Sequence, residues 1–322
     1  MGILSNFKFS AWFVLLLITS SCIREDLSDC PVKMEKLQVA FSFDTPAGPR
    51  NIDPAELKIA HLYIFDVDGN YVSTVTYQNP QLYHNYPIEV DLLPGEYEFI
   101  VWMNTAEYFD VLSVDSNEKL SNPDRHEDII KLAVPSLGYI TSEIPLIMFG
   151  EVSNQQITND NQIITIPLVQ NTNTINVTVK GLPQTGHEYY QVISDKNAYE
   201  SFQNKPVAGE EISYVAPMNL RGTKSVVNES TDLVSSLRVL KLYKENQPKL
   251  VLWNETEKID LYPGKSGLSN DLIKMITEKY PDVDFKTTHV FDIILYYNTN
   301  MEVTVDIQYW NDYETDYTIE PD

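Results

Sequence analysis

The chain predicts an all-β protein: two β-sandwich domains in tandem, with Greek-key connections and one short helix in the second. Three observations predict it. Apolar and polar residues alternate with period two along most of the 322 residues, the spacing of a strand with one buried face. The alternating runs are short and break at turn residues such as Asp68-Gly69 and Pro94-Gly95, the rhythm of a sandwich. The chain also holds 20 Tyr beside many Val, Ile and Thr, residue types that fit a pleated, half-buried surface.

The first residues precede that pattern. Residues 1–10 carry one cation, Lys8; residues 11–18 are an unbroken apolar run; Thr19-Ser20-Ser21 then leads into Cys22. A short apolar core followed by small residues is a secretory signal, too short for a membrane-spanning helix. The cysteine at the junction resembles the bacterial lipobox, with Thr19 where Leu is usual. Cys22 would be acylated and become the mature N-terminus. Ile23 is not the Asp that retains lipoproteins at the inner membrane, and Arg24-Glu25-Asp26 resembles the acid-rich export signal of surface lipoproteins of Bacteroidota. Residues 1–21 are therefore read as a lipoprotein signal peptide, 22–36 as a tether, 37–170 as the N-terminal sandwich and 171–322 as the C-terminal one.

In the first sandwich, Leu37, Val39, Phe41 and Phe43 alternate with Gln38, Ala40 and Ser42. Residues 58–65 read as a more buried strand, and Asp68-Gly69 offers the tight hairpin turn that returns the chain through residues 71–77. Ile88, Val90 and Leu92 alternate next, and residues 97–102 form a strand after Pro94-Gly95. Phe65 and Tyr97 are expected in this sandwich's core. Residues 104–145 read as irregular, with helical possibilities at 105–112 and 124–132. Residues 163–169 and 173–179 are strands on either side of the proposed boundary at 170–172. Strands follow at 189–193, 237–243, 249–253, 290–297 and 303–310, with 204–228 read as a long loop rich in Pro, Gly, Ser and Asn. One helix interrupts them. Ser269 or Asn270 can cap it, Leu272, Ile273, Ile276 and Tyr280 share a face, and Pro281 stops it.

Composition narrows the function. The formal charge is −23; the signal removes one lysine and no acid, so the mature 301 residues carry −24. A field of that sign repels phosphate backbones and argues against nucleic acid as a partner. The other cysteine, Cys30, has no thiol to pair with once Cys22 is acylated, and is read as a tether residue. His61, His84, His126, His187 and His289 are scattered and form no zinc spacing. Asp66, Asp68 and Asn70 place oxygens at alternate positions, but the glycine falls one place early for a calcium loop and no bidentate Glu follows, so a hairpin turn is expected. No catalytic motif, cofactor or metal site is read, and the chain is expected to be no enzyme. Glu210-Glu211 and Asp282/Asp284 are read as solvated surface.

Several segments, in order, resemble one family. They are Cys22-Ile23-Arg24-Glu25-Asp26-Leu27-Ser28-Asp29-Cys30-Pro31, then Leu62-Tyr63-Ile64-Phe65-Asp66 with Asp68-Gly69-Asn70-Tyr71. Leu93-Pro94-Gly95-Glu96-Tyr97, Val101-Trp102, Phe149-Gly150-Glu151 and Trp310 complete the set. Together they are similar to the FimB-type, or minor fimbrial anchor, family of Bacteroidota surface lipoproteins. The resemblance implies two transthyretin-like sandwiches behind a lipid anchor, a place at the base of a fimbria on the outer membrane, attachment of that fimbria, and control of its length. It implies stalk subunits as partners, joined by β-strand addition.

Three functions follow as expectations. The first is a lipid-anchored structural protein joining a fimbria to the outer membrane through acyl chains on Cys22. The second is a polymerising stalk or tip subunit whose N-terminal strand is released by cleavage after Arg50, in the loop Pro46-Ala47-Gly48-Pro49. The third is a surface glycan-binding lipoprotein that stacks sugars on exposed Tyr and Trp. At the C-terminus, Tyr313, Thr315, Tyr317 and Ile319 point one way in an extended chain, the pattern of a donor strand for a stalk subunit's groove or of an edge strand on its own domain.

Overall fold

The computed structural model describes residues 33–45, 48–49, 54–82, 88–105, 108–133, 138–141, 143–158, 161–182, 186–221 and 232–311. It is almost entirely β. The first strands are β1 (Glu35–Ser42), β2 (Asp44–Thr45), β3 (Gly48–Pro49), β4 (Ile59–Asp66), β5 (Tyr71–Gln78), β6 (Ile88–Leu92) and β7 (Gly95–Met103). Next come β8 (Phe109–Leu112), β9 (Lys119–Leu120), β10 (Ile129–Leu132), β11 (Tyr139–Ile140), β12 (Met148–Ile157) and β13 (Gln162–Gln170). The second half holds β14 (Thr172–Lys180), β15 (Tyr189–Asp195), β16 (Tyr199–Ser201), β17 (Ile212–Pro217), β18 (Asn219–Arg221) and β19 (Asp232–Leu240). It ends with β20 (Lys249–Asn254), β21 (Ile259–Tyr262), helix α1 (Leu272–Lys279), β22 (Thr288–Tyr297) and β23 (Val303–Asn311).

Strands β5-β4-β7-β12-β13-β1-β6 form one seven-stranded sheet. It closes over its own core: Leu37, Val39 and Phe41 from one end share a buried cluster with Ala60, Leu62 and Ile64 from the other. Strand β4 shows why. Its even residues fill that core, while Tyr63 and Phe65 point the opposite way into a second one, so the strand is apolar on both faces rather than alternating. The β4–β5 hairpin turns at Gly69, whose φ of +79° suits glycine, and an added Cβ would also strike the His126 ring at 2.7 Å. The Asp66 carboxylate is spent inside this turn, accepting the Asp68 and Asn70 amides at 2.9 Å each.

Two five-stranded sheets, β11-β17-β15-β20-β21 and β18-β19-β14-β22-β23, make the second sandwich. Ile193, Tyr214 and Leu252 of one pack with Ile175, Leu237 and Phe291 of the other in a common core. Alternation here is regular: Ile175, Val177 and Val179 of β14 are buried and their neighbours less so.

The two halves exchange strands. β16 of the second half completes the small sheet β16-β10-β8-β9, pairing with β10, and β11 of the first half pairs in parallel with β17. The Trp102 indole N–H donates to the Phe202 carbonyl at 3.0 Å, and the Phe202 ring meets Tyr63 edge-on at 4.9 Å. A single buried cluster therefore runs from Tyr63 to Ile307, and the described residues from Glu35 onward form one compact unit.

Several expectations are corrected. Residues 105–112 and 124–132 hold strands β8 and β10, not helices, because both complete a sheet over Tyr63 and Trp102. Within 204–228, read as a loop, residues 212–217 and 219–221 are strands. The helix is capped by Asp271, whose carboxylate accepts the Lys274 amide at 3.0 Å, rather than by Ser269 or Asn270. Phe65 is fully buried, but on the face opposite the first sandwich's closed core; Tyr97 is only partly buried and packs at the edge of that core.

Candidate functional site

Cys22, Cys30, Arg50 and the residues Tyr313, Thr315, Tyr317 and Ile319 all lie outside the described residues. What the structure does describe is the pair of strands these segments adjoin, β1 after the tether and β23 before the C-terminal tail.

Strand β1 is an interior strand. Six of its residues pair in parallel with β13 and five in antiparallel with β6. Leu37, Val39, Phe41 and Phe43 are 0%, 0%, 1% and 5% exposed. Burying four such side chains is worth roughly 6–12 kcal/mol at about 1.5–3 each, comparable to the whole stability of a domain. A cut after Arg50 would leave the strand seated until another strand replaced it.

Strand β23 ends its sheet, but its outer edge is obstructed. Tyr280 OH donates to the Ile307 carbonyl at 2.9 Å, Lys279 Nζ donates to the same oxygen at 2.5 Å, and the Ile307 amide donates to its neighbour's Asp306 carboxylate at 3.0 Å. Lys279 also pairs with Asp306, and the Tyr280 and Tyr309 rings meet edge-on at 4.5 Å. Side chains from the end of α1 thus take the main-chain groups a further strand would need, a common way to protect an edge.

The ionisable groups inside the fold serve structure. His126 bonds Glu98, which also accepts from Ser153 and Gln203 at 3.1 and 3.2 Å. Burial disfavours both charges, but the contacts prevail: Glu98 is held below the usual carboxylate range, and Glu98 with Glu127 holds His126 above the usual imidazole value. Glu200 is fully buried. Burial pushes it up to about 7 against hydrogen bonds from Tyr243 (2.5 Å) and Asn171 (2.7 Å). Asn171 sits at the crossing between the halves, which ties this polar knot to their junction. Among the described residues, no group of three or more His, Cys, Asp or Glu is arranged to hold a metal, and no helix is long and apolar enough to cross a membrane. Sequence reasoning missed Glu200 and Asn171 because their partners come from distant segments.

The fold and its strand exchange define a class, a paired β-sandwich whose two halves share strands. The fimbrial anchor protein Mfa2 from Porphyromonas gingivalis is 18% identical, covering 86% of this chain and 98% of that one, with a TM-score of 0.65. A candidate adhesin from Bacteroides thetaiotaomicron is also 18% identical over 86% and 97%, with a TM-score of 0.65. No curated protein matches the chain. Residues 27–315 match the Mfa2 family, described as fimbrillin-A associated anchor proteins Mfa1 and Mfa2. The chain belongs to that family, and its role is a fimbrial one at the cell surface.

Proposed function

We propose that this protein is a lipid-anchored structural element that fastens a fimbria to the outer membrane. The observation that carries the reading is β1: the strand immediately after the tether is hydrogen-bonded on both sides and fully buried on one face. Load applied to the fold and resisted at Cys22 passes through a strand paired on both sides, with β6 and β13. The thirteen residues 22–34 reach at most about 45 Å when extended, enough to clear a lipid surface while holding the sandwich near it. Two or three acyl chains make such attachment stable, where one gives only marginal binding.

The stalk contact is proposed at the C-terminal tail. The edge of β23 is occupied by Lys279 and Tyr280, so it is poorly suited to receive a strand. The tail that follows carries Tyr313, Thr315, Tyr317 and Ile319 in donor-strand spacing, and backbone pairing with side-chain pockets would supply affinity. Limiting fimbrial length would follow from occupying the terminal subunit's groove.

The test is fractionation and N-terminal sequencing of the protein from cells. The anchor starts at acylated Cys22, and Cys22→Ala releases a folded protein from the outer-membrane fraction. A chain beginning at Asn51 would instead identify a polymerising subunit, and membrane retention of Cys22→Ala would refute the lipid anchor.

A further inference from the structure

We propose that the outer face of the sheet β11-β17-β15-β20-β21 is a binding site for a neutral saccharide. The strand register builds it. Tyr190 on β15 lies opposite Trp253 on β20, and Val192 lies between Val215 on β17 and Val251 on β20. Their neighbours Tyr189, Ile193, Leu250 and Leu252 point inward and are buried. The outward residues are left half-buried as a floor of valines beside an aromatic pair, and Tyr139 on β11 is 39% exposed at the far side. The cleft they enclose has a volume of about 730 Å³.

The polar groups are placed rather than scattered. The Trp253 indole N–H donates to Glu255 at 2.7 Å, and Glu255 is ion-paired to Lys258, which fixes the ring. The backbone of Glu188 is pinned to the same turn: its amide donates to Thr256 Oγ1 at 3.0 Å and its carbonyl accepts the Glu255 amide at 2.8 Å. Glu188 and Asp260 both line the cleft, and among the described residues neither carboxylate has a hydrogen-bond partner.

This chemistry matches a pyranose. A sugar ring presents an apolar C–H face, which an aromatic ring or a valine floor accepts, and a rim of hydroxyl donors, which carboxylates accept. The net charge of −23 over the whole chain opposes acidic polysaccharides. Size argues against a protein partner: ten residues line the cleft, whereas a standard protein interface uses about 20–30 a side. Small-ligand clefts run to about 300–1,000 Å³.

The experiment probes the full mature chain, in detergent, against a printed array of neutral oligosaccharides. The strongest hit is then titrated by tryptophan fluorescence at low and high salt. Expected are saturable binding unchanged by salt, a tenfold or greater loss of affinity in Trp253→Ala and in Tyr190→Ala, and a several-fold loss in Glu188→Gln. Tyr296→Ala, on the other five-stranded sheet, binds normally. Circular dichroism verifies that each variant is folded, and Tyr190→Ala decides the matter if Trp253→Ala is not. The proposal is overturned if no neutral glycan binds, if both aromatic variants bind as well as the parent, or if binding vanishes at high salt, which would mark the cleft as a cation site. Loss of fimbriae from Trp253→Ala cells without any glycan binding would also overturn it, in favour of a protein partner. Attachment through Cys22 is read separately, so neither result depends on the anchor.

Discussion

Glu200 gives the fold a pH dependence whose sign can be worked out. An ordinary glutamate titrates near 4.5, and burial lifts this one to about 7. Between those values the folded chain keeps a proton that the unfolded chain releases, so stability falls as pH rises across that window. Below the window the group contributes nothing; above it the penalty is about 3 kcal/mol, at about 1.4 kcal/mol per unit. Asp195, raised to about 6 by burial, acts in the same direction over a narrower range. Glu200→Gln carries no such proton, so its melting temperature relative to the parent should rise progressively from pH 4.5 to 7.5. Parallel curves for the two proteins would show that Glu200 titrates normally. Phe65 supplies a second residue-scale expectation. It is fully buried and its ring lies 6.2 Å from that of Phe202, so Phe65→Ala should cost ~3–5 kcal/mol, measured by denaturant unfolding. An unchanged midpoint would contradict that packing.

At the scale of elements, most strands are legible in the sequence because one face of each is buried and the other is not. Strand β14 is the clear case. Strands β8 and β10 are not legible: four residues each, they are defined by the sheet they complete over Tyr63 and Trp102, and nothing local distinguishes them from short helical turns. The helix is legible but its start is not. The residues Ser269, Asn270 and Asp271 all suit a cap; tertiary contacts choose, since the Leu250 amide bonds the Asn270 carbonyl at 2.9 Å and an isolated antiparallel backbone bridge joins Lys249 to Asp271, holding the chain extended until Asp271. The sugar cleft is invisible for a related reason, as Tyr139, Tyr190 and Trp253 come from three separate strands. The same helix yields an element-scale prediction. Lys279 and Tyr280 occupy the outward carbonyl of Ile307, so the double variant Lys279→Ala, Tyr280→Ala frees the edge of β23. Self-association should increase at high protein concentration, as read by light scattering after size exclusion. A variant that stays monomeric under all conditions would show that the edge needs no such guard.

For the whole molecule, the question is whether the two halves unfold separately. Tandem sandwiches with independent cores behave as two transitions, because each can lose its packing without exposing the other. Here the first half's closed core is a cluster of its own, but the opposite face of its sheet is shared with the second half. Tyr63, Phe65 and Trp102 of the first half share a buried cluster with Phe202 and the second sandwich, β16 is hydrogen-bonded into the first half's small sheet, and Asn171 at the crossing is held by Glu200. Unfolding either half alone would expose part of the common core and strand the buried Glu200. That coupling also suits an anchor, since a load entering at β1 reaches β23 without crossing a soft linker. Calorimetry of the mature chain in detergent should therefore give a single endotherm whose calorimetric and van't Hoff enthalpies agree. Phe202→Ala, which removes the ring between Tyr63 and Phe65, should lower that one transition and broaden it toward two. Two resolved transitions in the parent protein would mean that the shared cluster is too weak to couple the sandwiches, and that force is transmitted through a hinge.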